Sequence, residues 1–452
     1  MNETMLHRWL ARVVSVRPGE VRALGWSFAY FFCLLAGYYV LRPLRDEMGI
    51  AGGVRNLPWL FTATFFVMLA VVPVFGAVVA RLPRRRFIPL VYHFFVANIA
   101  IFWILLTFDI GKLHVARVFF VWISVFNLFA VSVFWSFMAD LYASEQGKRL
   151  FGFIAAGGSA GALLGPTLTV GLAVPLGPVN LLIVAALLLE AAVLCAMRLE
   201  AAAPRLKPES HASATAAPAG PTDAAAPGPP EAAEIGGGWL AGITMVLRSP
   251  YLAGIALWVT LLSLAGTFLY FQQANIVAAA SDDPAVRTRI FATIDLAIGI
   301  LTLIVQCIVT GRLITRFGAG PAAAFLPLVF GLGFLALWLT PMLWIVIAFQ
   351  AAQRAANFAI SNPAREVLFT VLDREEKYKA KNVIDIVVFR GGDAVSGWLF
   401  AALRSAGLEL GAISLATVPV TAAWLALALA LGRMQEKRAQ NPATPKTQGG
   451  II

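Results

Sequence analysis

Four charged residues, Arg42, Arg45, Asp46 and Glu47, fall within six positions ("RPLRDE") at the end of an apolar run that begins near Leu24. Arg42 and Arg45 share one helical face, and Asp46 sits one turn beyond Arg42. A second group lies in "FQAAQRAANFAISNPAREVLF" (349–369), where Gln350, Gln353, Arg354, Asn357 and Ser361 stand at offsets 0, +3, +4, +7 and +11, one face of a helix. A third group holds Asp385, Arg390 and Asp393. Guanidinium groups grip carboxylate or phosphate through paired N–H donors. Arg45, Arg354 and Arg390, converging from three helices, would therefore make an anion site, with Arg42, Asp46, Gln350, Asn357 and Asp385 as further candidate ligands. Structural ion pairs are the competing use. Asp295 or Asp140 could partner Arg354, Arg390 could pair with Asp393, and Lys381 could pair with Asp385, four residues on.

The elements that must carry these residues follow from composition. The chain has 452 residues, 60% of them hydrophobic and only 13% charged, with a mean hydropathy of +0.79. The surplus of apolar surface must face lipid. In hydrocarbon every backbone N–H and C=O is satisfied internally, and the apolar runs are unbroken rather than alternating, so they are helices. Spans of about 20 residues are expected near 22–45, 57–80, 87–107, 114–141, 149–173 and 178–198, and again near 250–276, 288–314, 321–340, 343–371, 380–403 and 408–432. The first run, followed by so many others, is a span and not a cleaved signal.

An arginine at position 354 is deep inside the tenth span, where lipid exposure costs about 2.5 kcal/mol or more. It must face water, a partner or a ligand. Arg42 and Arg45 could instead reach for the interface. That reading meets two objections: loops on their side are otherwise poor in cations, and Pro43 between them is of the kind that marks kinks near binding sites in spans.

Basic residues cluster on one side of the membrane: Arg8, Arg12, Arg17, Arg22, Arg81, Arg84–Arg86, Lys148–Arg149, Arg198, Lys207, Arg312 and Arg316, then Arg374 to Lys381 and Arg433 to Arg438. The other side has Arg55, Lys112, Arg287, Arg289 and Arg404. This bias places both termini and the central linker in the cytoplasm, and the expected location is a bacterial inner membrane. It also accounts for the net charge of +11 without nucleic acid. The domain plan is a cytoplasmic segment 1–20, a six-helix half 21–199, an Ala/Pro-rich flexible linker 200–237, a second six-helix half 238–434 and a tail 435–452.

The fold class is thus an all-α polytopic membrane protein, twelve transmembrane helices in two six-helix halves, and it resembles the major facilitator architecture, whose halves are related by an axis along the membrane normal. Two candidate gating loops repeat: "GAVVARLPRRR", with Gly76, Arg81 and Arg84, and "GRLITRFGAG", with Gly311 and Arg316. Both resemble the major facilitator loop motif, with Ala80 and Thr315 in place of its acidic residue. In the fifth span Gly157, Gly161 and Gly165 recur every four residues, a spacing that lets two helix backbones approach closely.

"NPAREVLFTVLDREEKYKAKNVIDIVVFRGGDAVSG" (362–397) resembles the ATP/ADP translocase family of plastids and obligate intracellular bacteria. The matching elements are Arg365–Glu366, Leu372–Asp373, Glu375, Lys379, Lys381, Ile384–Asp385 and Arg390–Gly391. Leu41-Arg42 with Arg45-Asp46, and "FWSFMADLY" (134–142), match further family motifs. Where the family carries a glutamate and a lysine late in the seventh span, this chain has Tyr270, Gln272 and Gln273. The resemblance implies nucleotide exchange.

Three functions are carried forward: nucleotide exchange by alternating access; transport of another organic anion or a proton-coupled solute, with Asp295, Asp140 or Asp385 carrying the proton; and a non-transporting membrane scaffold or sensor. Cys33, Cys195 and Cys307 lie in separate spans, and the four histidines do not cluster, so neither metal nor cofactor is expected. No Gly-rich phosphate loop with a following Lys-Ser/Thr is present, hence no ATPase engine and no enzyme. The expected partners are an anionic small molecule and the lipid bilayer, and the expected state is a monomer.

Overall fold

A computed structural model describes residues 16–81, 84–202, 239–308, 318–373, 376, 379–381 and 383–440. Twelve helices among them are long and apolar enough to cross a membrane: Val21–Ala51, Val54–Val71, Ile88–Thr107, Lys112–Leu141, Arg149–Leu176, Leu181–Ala202, Pro250–Ala280, Pro284–Gln306, Gly320–Leu339, Leu343–Val371, Lys379–Ser405 and Leu410–Gln440. They are numbered here as the first to twelfth spans. An even number of crossings puts both ends of the bundle on one side, the termini face. Residues 203–237 of the linker, residues 441–452 of the tail, and Gly311 and Arg316 lie outside the described residues.

The first span is one unbroken helix of 31 residues through Pro43. Pro43 is buried in it and does not end it. Two apolar cores form. One draws only on residues of the first six spans and the segment leading into them. The other draws on the last six and recruits Ile50, Leu57, Leu60 and Phe120 from the first set. Those four recruits lie toward the face opposite the termini, and there the two sets meet.

The first and fifth spans pack backbone against backbone. A Cβ added to Gly157 would stand 2.5 Å from the Phe28 carbonyl oxygen, and one on Gly165 would stand 2.7 Å from that of Ala36. The recurrence of glycine read in the sequence is thus a helix contact.

On the termini face Glu20, just ahead of the first span, accepts hydrogen bonds from Arg149 Nη2 (2.9 Å), Gln146 Nε2 (3.0 Å) and the Arg17 N–H (2.9 Å). Burial pushes the Glu20 carboxyl up, but these donors outweigh it and hold the group below the ordinary value. A depressed carboxylate stabilises the fold above its unfolded pKa and stops doing so as the pH falls through its folded one. Glu20→Gln is therefore expected to lower the melting temperature of the detergent-solubilised protein at neutral pH, with the gap to wild type closing on acidification. A gap that widens in acid would contradict this.

Candidate functional site

Between the two sets of six lies a cavity of about 500 Å³. Arg42 and Arg45 reach it from the first span, Gln350, Gln353, Arg354 and Asn357 from the tenth, and Arg390 and Asp393 from the eleventh. At about 1.5 Å of rise per residue, Arg42 is about 13 Å from Ala51, and Arg354 about 16 Å from Leu343, at the face opposite the termini. The two arginines thus share one depth near the bilayer centre.

Each arginine has a carboxylate neighbour. Arg42 Nη1 lies 3.1 Å, and Arg354 Nη1 3.5 Å, from the same oxygen of Asp295. Arg45 Nη1 is 3.2 Å from Asp46 Oδ1, which also accepts from the Tyr270 hydroxyl at 3.0 Å. The Arg45 guanidinium also stacks 4.0 Å from the centre of the Phe120 ring. Arg390 Nη1 is 3.7 Å from Asp393, whose other oxygen accepts from Ser263 (2.6 Å) and Thr267 (3.3 Å). Four guanidinium groups therefore face three carboxylates, and the ionised site keeps one net positive charge. An amide chain, Gln353 to Gln350 to Gln273, ties the tenth span to the seventh. In the fourth span Asn127 and Ser124, and in the first Tyr38 and Tyr39, complete the wall.

Several expectations need correction. Asp385 is not on the cavity. It pairs with Arg365 at 3.1 Å, and Lys381 pairs with Glu366 at 2.7 Å rather than with Asp385. The cause is local: residues Val383–Val388 form a π-helix, which changes the angular step on which the spacing of four relied. Ser361 is buried off the cavity because Asn357–Ser361 is also π-helical. Asp140 is exposed near the end of the fourth span and is not Arg354's partner; Asp295 is. Gly76, Arg81 and Arg84 sit on helix backbone, but their side chains lie outside the described residues. Tyr38, Tyr39, Asn127, Ser263 and Thr267 were missed. Asn127, a lone amide in an apolar helix, was the signal available.

At the face opposite the termini the cavity is shut. Arg287 of the eighth span donates to both oxygens of Glu47 at 2.7 and 2.8 Å, with the carboxylate only 1% exposed. Trp398 donates to Thr62 at 3.0 Å and stands edge-on to Trp59. The ion pairs nearer the termini, Arg149–Glu20, Arg365–Asp385 and Lys381–Glu366, each stay within one half. Among the described residues, contacts between the halves close the cavity at this face.

Losing one partner of a buried pair costs about 3–5 kcal/mol, and for Glu47→Gln that loss falls on the sealed state. A cysteine placed at Phe61 is expected to become reactive toward a membrane-impermeant maleimide added on that face in Glu47→Gln, and to be protected again in the swapped pair Glu47→Arg with Arg287→Glu. Equal protection in all three would remove the latch.

Residues 238–434 match the family model described as TLC ATP/ADP transporter. The match makes this part of the chain, less than half of its length, similar to ATP/ADP transporters. The ADP,ATP carrier protein 1 of Chlamydia trachomatis is 24% identical over 213 residues, and that of Chlamydia muridarum is equally so. Each alignment covers 42% of this chain and 40% of the relative's length.

Among solved structures, a bacterial homologue of the iron transporter ferroportin in an inward-facing state has a TM-score of 0.60 at 12% identity, covering 93% of this chain and 99% of its own. The nucleoside transporter NupG gives 0.57 at 11% identity, covering 93% and 99%. A bacterial homologue of Spinster, inward-facing and unoccupied, gives 0.56 at 14%, covering 95% and 100%. The fold is that of major facilitator transporters. The family match takes in Asp295, Arg354 and Arg390; Arg42 and Arg45 come from the half outside it.

Proposed function

We propose that this chain is a secondary transporter that exchanges anionic solutes, nucleotides of the ATP/ADP type first, by alternating access. The carrying observation is the set of four arginines on a single cavity of about 500 Å³, a size suited to a small organic ligand, sealed at one face and shared by two halves. In this reading Arg42, Arg45, Arg354 and Arg390 hold the cargo's oxyanion, with Gln350 and Asn357 as polar contacts. Asp46, Asp295 and Asp393 keep the guanidinium groups aligned while no cargo is bound. Tyr38, Tyr39 and Phe389 offer ring faces for a base.

The basic residues of the termini face support a reading in which that face is cytoplasmic and the membrane is the inner one. Residues 200–237 then link the halves on the cytoplasmic side, residues 435–452 form a tail there, and the protein works as a monomer. Exchange is favoured over one-way flux because the empty site keeps an uncompensated positive charge that resists closure.

A second reading, transport of a smaller organic anion, is supported by the near balance of charge and by the uncharged Tyr270 that the seventh span presents to the cavity. Proteoliposomes preloaded with ATP, a sugar phosphate or a dicarboxylate are the test. External labelled ADP is expected to enter only the ATP-loaded vesicles. Exchange of dicarboxylate or sugar phosphate with no nucleotide uptake would overturn the first reading in favour of the second.

A further inference from the structure

Beside the arginine-lined cavity is a second one of about 290 Å³, walled by the first, fifth and eighth spans. Leu35, Tyr39 and Phe358 belong to both, and Asp295 lines the smaller. Asp295 is 4% exposed. Arg42 and Arg354 both approach its Oδ1, while its Oδ2 is buried with no hydrogen-bond partner in the protein. Thr302 lines the same small cavity, and its hydroxyl is likewise buried and unpartnered. Gln306 follows on that wall. Offsets of 7 and 11 from Asp295 keep all three on one face of the eighth span. Buried polar atoms are normally paired, so two orphans on one wall call for a ligand.

The ligand's class follows from spacing. Asp295 and Thr302 are two turns apart, about 10 Å along the axis, too far to grip one metal ion together. A lone carboxylate oxygen reached by a roomy, partly polar passage suits a proton.

We infer that the small cavity delivers a proton to Asp295 Oδ2, and that this proton crosses with the anion. The inference rests on the proposed role of Arg42 and Arg354 in holding cargo. Ionised Asp295 holds both guanidinium groups. Forming the O–H bond at Oδ2 removes the negative charge and frees them for the cargo's oxyanion. When cargo leaves, the arginines return to the carboxylate and the proton passes to water. Arg42 belongs to the first half and Asp295 to the second, so the same protonation unties the halves.

The groups that bias the carboxyl are Arg42, Arg45, Asp46, Tyr38 and Tyr39 on the first span and Arg354 on the tenth. The fifth span presents only Ala155, Gly158, Ser159 and Ala162 to this cavity.

The test needs no cargo. Lys112→Cys and Glu409→Cys, exposed and in opposite halves, carry spin labels in a background with Cys33, Cys195 and Cys307 replaced by alanine. In sodium-free buffer, lowering the pH from about 8 to about 5, a window in which carboxyl groups of folded proteins titrate, is expected to shift the inter-label distance distribution. Asp295→Asn is expected to show the low-pH distribution throughout, and exposed Asp140→Asn to titrate like its parent. Should Asp295→Asn fail to fold, Thr302→Val, which alters no charge, is expected to keep the melting temperature and slow the response to a pH jump. A wild-type distribution indifferent to pH, an Asp295→Asn variant that titrates normally, or an equal shift produced by sodium at fixed pH would each overturn the proton site. Failure of ATP to shift the melting temperature would remove the nucleotide reading and leave this result untouched.

Discussion

Arg354→Gln is expected to abolish exchange in proteoliposomes while leaving the protein folded. Both halves of that expectation come from the shared Asp295. Removing the Arg354 guanidinium leaves Arg42 at 3.1 Å from the carboxylate, so no buried charge is stranded and the tie between halves survives. Binding suffers instead. The ionised site falls from one net positive charge to none, and a pair of N–H donors is lost from its wall. A hydrogen bond to a charged group is worth about 1.5–3 kcal/mol, roughly 10- to 100-fold in affinity. Arg354→Lys keeps the charge but not the planar fork and is expected to fall between the two. The comparison reads uptake rate and melting temperature together. Exchange kinetics in Arg354→Gln equal to wild type would dismiss this residue from the cargo site.

The other large effect concerns folding. A Cβ on Gly161 would overlap the carbonyl oxygen of Phe32 and stand 2.9 Å from the Ala36 nitrogen. Those are backbone atoms of a helix that also packs against the sixth span through Gly37, so they cannot step aside. Overpacking costs about 1–3 kcal/mol even where side chains can give, and here none can. Gly161→Ala is expected to lower the melting temperature clearly, and Gly161→Leu to yield no monodisperse protein on size exclusion. Gly158 supplies the contrast, because its added Cβ meets the side chains of Phe31 and Leu35. Gly158→Ala is expected to be rescued in part by Phe31→Leu, whereas Phe32→Ala leaves Gly161→Leu unrescued. A stable, well-folded Gly161→Leu would mean that the two helices can separate freely.

The spans were legible because length and apolarity are all that a bilayer asks of a helix. Arg354 was legible for the same reason: nothing explains a guanidinium in mid-span except a cavity or a partner. The structure supplies both. The pair Glu47–Arg287 was not legible. Glu47 stood in the first motif noticed, yet its partner is 240 residues away and no periodicity connects them. Asp385 was misplaced by counting fours through a segment whose backbone does not repeat every 3.6 residues. Tyr38 and Tyr39 were overlooked because aromatic residues in an apolar run carry no contrast against their background.

The π-helical turn at Asn357–Ser361 has a consequence for cargo choice. Such a turn stores one surplus residue in an otherwise ordinary helix. Winding it back to the common pitch would advance every later residue of that helix by about 100° and 1.5 Å, bringing Ser361 round into line below Asn357 and carrying Arg365 away from Asp385. The wall could thus exchange one set of hydrogen-bonding groups for another without the helix leaving its seat, and a single scaffold could present different chemistry at loading and at release.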